Sequence, residues 1–352
     1  MLGVFRYVLA LMVVFSHLWP EFLWWQGTYA VSCFYVISGY LMSKILNEVY
    51  LGKNWLLRYG LNRCLRIFPA YLVTLLLTLS AIALYPQVAN IQFNAYMTLD
   101  EVMSVPTGFW GWAENLSLLY VGDGKLTVSQ SWSLRVEIVF YFVMAFLVRR
   151  PLLVLVWFFV SVCYLVYLEA SSASFMTRYM SVLGASFAFS MGALVYQLTK
   201  KVQLSSLHLY FASVLLPLYL WQAPSLWDFP QEHLGWQAFF GAETYGLYGF
   251  VLIGAYLLLA LVTCDRAPSF GSLGIALGNL AYPIFLTHWL VAILALGSGI
   301  PLQNKAIFFM STLGLIHLVS IAIFYLVERP VNEKFRDQIR GQVVGKPKAA
   351  YG

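Results

Sequence analysis

The sequence predicts an all-α, polytopic integral membrane helical bundle of about ten transmembrane helices with both termini cytoplasmic. Three observations predict it. Of 352 residues, 61% are hydrophobic and only 10% charged, and the mean hydropathy is +0.75, which excludes the soluble globular class. The apolar residues form continuous runs that can cross roughly 30 Å of hydrocarbon as helices, whereas a β-barrel shows short alternating segments. The basic residues fall in every second loop. The net charge of +6 is therefore an orientation signal and not a nucleic-acid one.

The predicted spans are 4–22, 30–47, 67–86, 131–148, 151–168, 178–197, 205–222, 245–263, 274–296 and 305–327. The first is read as a retained helix and not a signal peptide. Trp19, Trp24 and Trp25 make a poor cleavage region and a good interfacial belt. One set of loops carries Lys44, Lys53, Arg58, Arg63, Arg66, Arg149, Arg150, Lys200, Lys201 and Arg266, and the tail from Arg329 to Lys348 is also basic. The opposite set holds only Lys125, Arg178 and Lys305, among many carboxylates. The basic set marks the cytoplasm, and an even number of spans agrees with both termini lying there. The four cysteines give no disulfide framework, and no Cys/His cluster has zinc spacing, so no metal is expected.

Span 1 carries Arg6 and His17 with ten residues between them. Eleven helical steps total about 1100°, so both lie on one face, roughly 16 Å apart along the axis. Ionisable groups in a membrane mark functional sites by default. The bland alternative is an interfacial arginine anchor plus a histidine bonded to a neighbouring helix. Span 2 contains Ser38-Gly39-Tyr40, small enough for close helix packing. The basic 48–66 loop leads into Arg63 and Arg66, three apart and so on one helical face, with Pro69 in the first turn of span 3. The long outer segment 87–130 is acidic and aromatic, with Trp110 and Trp112 suited to stacking on sugar rings or to an interfacial belt. Asn115-Leu116-Ser117 there is a glycosylation sequon.

Span 4 opens Ser131-Trp132-Ser133-Leu134-Arg135-Val136-Glu137. Glu137 needs a partner on another helix, because Arg135, two residues away, faces elsewhere. His17 is at comparable depth and is one candidate; another buried polar group is the other. His288 and His317 lie in mid-span, where a lone histidine is usually an interhelical hydrogen bonder. Gly271, Gly274 and Gly278 are spaced for helix contact.

Taken together, these residues resemble the membrane acyltransferase-3 family over nearly the whole chain. The resemblance rests on Arg6 to His17, Phe34-Tyr35-Val36-Ile37-Ser38-Gly39-Tyr40-Leu41, Arg63-Cys64-Leu65-Arg66-Ile67-Phe68-Pro69, Ser131-Trp132-Ser133-Leu134 with Glu137, Phe140 and Tyr141, the Tyr282 to His288 segment and Glu328-Arg329-Pro330. One departure is Tyr7, where members often have glycine.

The resemblance implies a membrane acyltransferase domain over 1–328, in the stand-alone form without a fused outer hydrolase-like domain, and a short basic cytoplasmic tail over 329–352. It implies transfer of an acyl group, most often acetyl, from cytoplasmic acyl-coenzyme A to a sugar hydroxyl of a lipid-linked glycan at a bacterial inner membrane. Acetyl-coenzyme A is then the co-substrate, the glycan and membrane lipids are the partners, and no nucleic acid is involved. Arg6, Arg63 and Arg66 suit the donor's phosphates. His17 and Glu137 are the expected catalytic pair, with Glu137 orienting a general base His17; an acyl-His17 intermediate is the alternative. Trp132, Trp110, Trp112 and His288 are assigned to the acceptor. A glycolipid transporter or flippase, or a scaffold without chemistry, is the competing function. The transporter would show matching halves with broken helices; Pro217 and Pro283 do interrupt spans, but the sequence shows no internal symmetry.

Overall fold

The computed structural model describes residues 1–20, 26–94, 97–99, 102–122, 124–171, 173–227, 242–264 and 270–341. The aromatic stretch Phe229 to Phe240, Arg266 and the last eleven tail residues lie outside the described residues, as do Trp24, Trp25 and Asp123.

Each predicted span overlaps a helix among the described residues. In chain order these are α1 (Leu2–Leu18), α2 (Gln26–Glu48), α3 (Trp55–Leu84), α4 (Gly108–Ser117), α5 (Trp132–Leu147), α6 (Pro151–Ala170), α7 (Phe175–Met180), α8 (Val182–Thr199), α9 (Ser206–Trp227), α10 (Ala242–Thr263), α11 (Gly271–Gly297) and α12 (Lys305–Ile323). Among the described residues seven helices are long and apolar enough to cross a membrane: α2, α3, α6, α8, α10, α11 and α12 with its extension. Leu2–Leu18 and Ser206–Trp221 are apolar but shorter, and α5 has 16 residues. Among the described residues the only strands are the hairpin Gln92–Asn94 and Met97–Thr98 in the 87–130 segment.

Two close helix crossings organise the bundle. α2 meets α8 where Gly39 faces the Phe189 carbonyl and Gly192 faces the Val36 carbonyl; a Cβ at either site would sit 2.2 or 2.0 Å from that oxygen. α1 meets α11 through Gly3, Gly274 and Gly278, again with backbone against backbone. Lipid tails are as apolar as leucine, so such close contact supplies much of the helix association energy.

Two expectations change. The 48–66 loop is mostly helix: α3 starts at Trp55 and Pro69 lies in its interior. Its buried positions Tyr59, Asn62, Arg63, Ile67, Ala70, Tyr71, Thr74, Leu75 and Thr78 keep helical spacing throughout. That continuous stripe, which includes Arg63, outweighs the missing amide of Pro69. Span 6 begins later than predicted, because Ser181 caps α8 by accepting from the Gly184 amide at 2.9 Å. The chain beyond α12 stays helical up to Gly341, with π turns at Phe324–Glu328 and Asn332–Arg336. It rests on α3, where Arg336 and Asn62 bond one another.

Candidate active site

Two imidazoles meet between α1 and α11. His288 is fully buried, and its Nδ1 lies 2.8 Å from the Phe285 carbonyl one turn back. A carbonyl only accepts, so Nδ1 of neutral His288 bears the proton and Nε2 is an acceptor. His17 Nδ1 lies 2.8 Å from that Nε2 and must be the donor. The proton positions are thereby fixed along the chain from Phe285 through His288 to His17. What remains is a lone pair on Nε2 of half-buried His17, the atom a general base needs. Gln130 braces the same turn of α11: its amide donates to the Phe285 and Leu286 carbonyls at 3.1 and 2.6 Å.

A second polar cluster lies where α1, α3, α5 and the α12 extension converge. Arg66 pairs with Glu328 at 2.9 Å and lies over the Tyr282 ring, 4.9 Å from its centroid. Arg63 is buried; it donates to Asn62 Oδ1 at 2.8 Å and lies beside the Tyr59 and Tyr141 rings. Glu137 accepts from Ser38 Oγ and, at 2.7 Å, from the Tyr141 hydroxyl. Arg6 lies within Coulombic reach of Arg66, Glu137 and Glu328, and Arg66 of the same two carboxylates. Arg6 makes no salt bridge among the described residues, so its half-buried guanidinium is free to take an anion.

The structure thus separates the expected His17–Glu137 pair. Glu137 sits with the arginines, and the bonding partner of His17 is His288. Depth counted from the start of the apolar run alone leaves out how the residues before α5 are anchored. The 3₁₀ turn Ser129–Ser131 precedes it, and buried Gln130 reaches into α11 beside His288. Glu137 therefore enters the half of the bundle that holds Arg6. Nothing in the spacing revealed this, because the signal was one glutamine in a loop.

The tryptophans occupy other places. Trp132 meets the Tyr179 ring edge-on at 5.0 Å. Trp110 and Trp112 are exposed on α4 with Phe109 and Leu116, an arrangement suited to the membrane interface. α4 is tied down on its other side. Glu114 pairs with Arg135 at 2.7 Å and accepts from the Gly124 amide. Asn115, the sequon residue, is fully buried with its amide committed to the Gly111 and Lys125 carbonyls. His317 makes the interhelical bond expected of a lone histidine, with Tyr7 at 2.8 Å. No group of three or more potential metal ligands occurs among the described residues.

Residues 2–327 match the acyltransferase domain of acyltransferase-3 type. The chain belongs to the acyltransferase-3 family. The match covers nearly all of the helical bundle, and a membrane acyltransferase is what the family and the apolar helices together support. No curated protein and no solved structure matches the chain.

Proposed function

We propose that this acyltransferase moves an acyl group, most often acetyl, from cytoplasmic acyl-coenzyme A to a sugar hydroxyl of a lipid-linked glycan at the outer side of a bacterial inner membrane. The observation that carries the reading is the oriented His17–His288 pair, whose His17 shares α1 with Arg6 and lies roughly 16 Å from it along the axis. The coenzyme's phosphates take Arg6 and Arg66 at the cytoplasmic end, with Arg63 held behind them on Asn62. The pantetheine arm, comparable to an extended tetra- or pentapeptide of roughly 13–18 Å, then brings the thioester to His17.

His17 Nε2 removes the hydroxyl proton as the oxygen attacks the thioester carbonyl. Collapse of the tetrahedral intermediate expels the thiolate, and the imidazolium returns the proton to sulfur. His288 keeps Nε2 as the basic atom and accepts from Nδ1–H of the imidazolium, which has the logic of a triad with a second imidazole and a backbone carbonyl in place of the carboxylate.

The test is incubation of the purified protein with labelled acetyl-coenzyme A and a lipid-linked glycan extract. Label should enter the glycan, and His17→Ala should reduce transfer about 10²–10⁴-fold. Movement of the glycan across vesicles without acetylation is the transporter's result and overturns the reading.

A further inference from the structure

The ending Glu328-Arg329-Pro330 has no part in the chemistry above, yet the fold works to bring Glu328 inward. Its neighbours Tyr325 and Leu326 are exposed, at 54% and 76%, while Glu328 is 5% exposed. The helix widens to a π turn over Phe324–Glu328, immediately before Pro330, and such turns concentrate at functional sites. The proline ring cannot sit against the carbonyl four residues back in a regular helix, so the wider turn is the local response.

The resulting contact is half made. Glu328 Oε2 accepts from Arg66, while Oε1 is buried and has no hydrogen-bond partner among the described residues. A buried carboxylate with one oxygen unsatisfied is a costly arrangement in a low-dielectric site. Without it, however, Arg6 and Arg66 would repel each other across the same cluster. The carboxylate therefore neutralises guanidiniums that are otherwise arranged to receive an anion.

We infer that Glu328 is a placeholder anion: in the free protein it occupies the side of Arg66 that a donor phosphate takes, and the incoming phosphate displaces it. The inference rests on the reading of acyl-coenzyme A as donor. Glu328 then sets donor specificity. A strong multivalent phosphate ligand replaces the carboxylate, and a neutral thioester with no phosphate gains no access to Arg66.

Binding of coenzyme A to the detergent-solubilised full chain tests this, with phosphate-free pantetheine as the control and phosphatidylglycerol nanodiscs as a separate arm. Removing the negative charge with Glu328→Gln should tighten coenzyme A about tenfold or more and leave pantetheine unchanged. Unchanged or weaker coenzyme A binding by this variant overturns the inference and makes Glu328 a structural clamp on Arg66. A gain confined to phosphatidylglycerol also overturns it, by assigning the site to a lipid headgroup. If wild type and variant both ignore coenzyme A, the donor reading falls as well; if wild type binds and the variant gains nothing, only the placeholder falls. Should Glu328→Gln not fold, Glu328→Asp draws the carboxylate back from Arg66 and should give a smaller gain in the same direction; weaker binding again overturns the inference.

Discussion

At the scale of single residues, one proton decides what His17 can do. If His288 were free to turn, its Nε2 could donate, and His17 would then bear its own proton on Nε2 and lose its basic lone pair. The contact with the Phe285 carbonyl prevents that. His288→Ala should therefore lower kcat about 10–10²-fold with little change in the donor KM, because it removes positioning and not donor contact. His288→Gln, whose amide oxygen can accept from His17 Nδ1, should recover part of the loss; no recovery would mean that His288 acts only through packing. Glu137 gives the opposite expectation. It bonds Ser38 and Tyr141 beside the arginines, so Glu137→Gln should alter donor KM more than kcat. Combined with His17→Ala its effect should multiply, since the two groups do not act as one unit. A double variant no worse than His17→Ala alone would restore the direct pairing that the sequence suggested. Arg6, His17 and the arginines of α3 were legible because charged residues stand out in apolar helices. The His17–His288 bond was not, because 271 residues separate its partners and only the α1–α11 crossing joins them.

At the scale of elements, the decisive features are the places where helices start and touch. α5 was placed by its apolar run but not by its depth, and Gln130 is what fixes the depth. Gln130→Ala removes two buried hydrogen bonds to α11 and leaves the partner carbonyls poorly served. It should cost about 1–3 kcal/mol and shift the pH dependence of kcat through the loosened His288, whereas a purely structural loss would lower the melting temperature alone. The crossing of α2 on α8 is more demanding. Gly39→Val would drive a side chain into the Phe189 carbonyl, and overpacking of this kind typically costs about 1–3 kcal/mol. Gly60→Ala, in the same bundle, meets no atom within 4 Å of the added Cβ and should be neutral to slightly stabilising in its helix. Equal melting temperatures for the two variants in detergent would show that the crossing is not a close backbone contact. Small residues at Gly39 and at Gly274 and Gly278 announced these crossings in the sequence, since helical spacing of glycines has few other uses in a span. Pro69 misled in the other direction, because proline marks a helix start only where the burial pattern also begins there, and in α3 that pattern starts at Tyr59.

At the scale of the whole molecule, the two polar clusters lie at different levels of one bundle, and their distance apart has meaning only if the arginine end faces the coenzyme. The contacts keep the two sets of loops distinct. At one end Arg149 donates to the Tyr50 carbonyl at 2.7 Å and lies over the Trp55 ring, and Asn47 reaches the Val148 carbonyl. At the other, Lys305 donates to the Phe93 carbonyl at 2.6 Å, joining the start of α12 to the outer segment. We propose, from the charge asymmetry, that the first end is the cytoplasmic one. The chain carries its own reporter for this assignment. Cys64 is exposed on α3, one residue from Arg63, while Cys33 and Cys264 are buried. Cys163 is exposed on α6, within a helix long and apolar enough to cross a membrane. In sealed right-side-out vesicles, a membrane-impermeant thiol reagent should spare Cys64 until the membrane is opened. Tyr120→Cys, placed beside Arg135 in the outer segment, should react at once. Site-resolved mass spectrometry reads both positions in a single sample. Early labelling of Cys64 with protection of position 120 would invert the bundle and put Arg6, Arg66 and Glu328 on the side that holds no coenzyme. The donor path along α1 would then have no source, and the His17–His288 pair would need a substrate delivered from the opposite face.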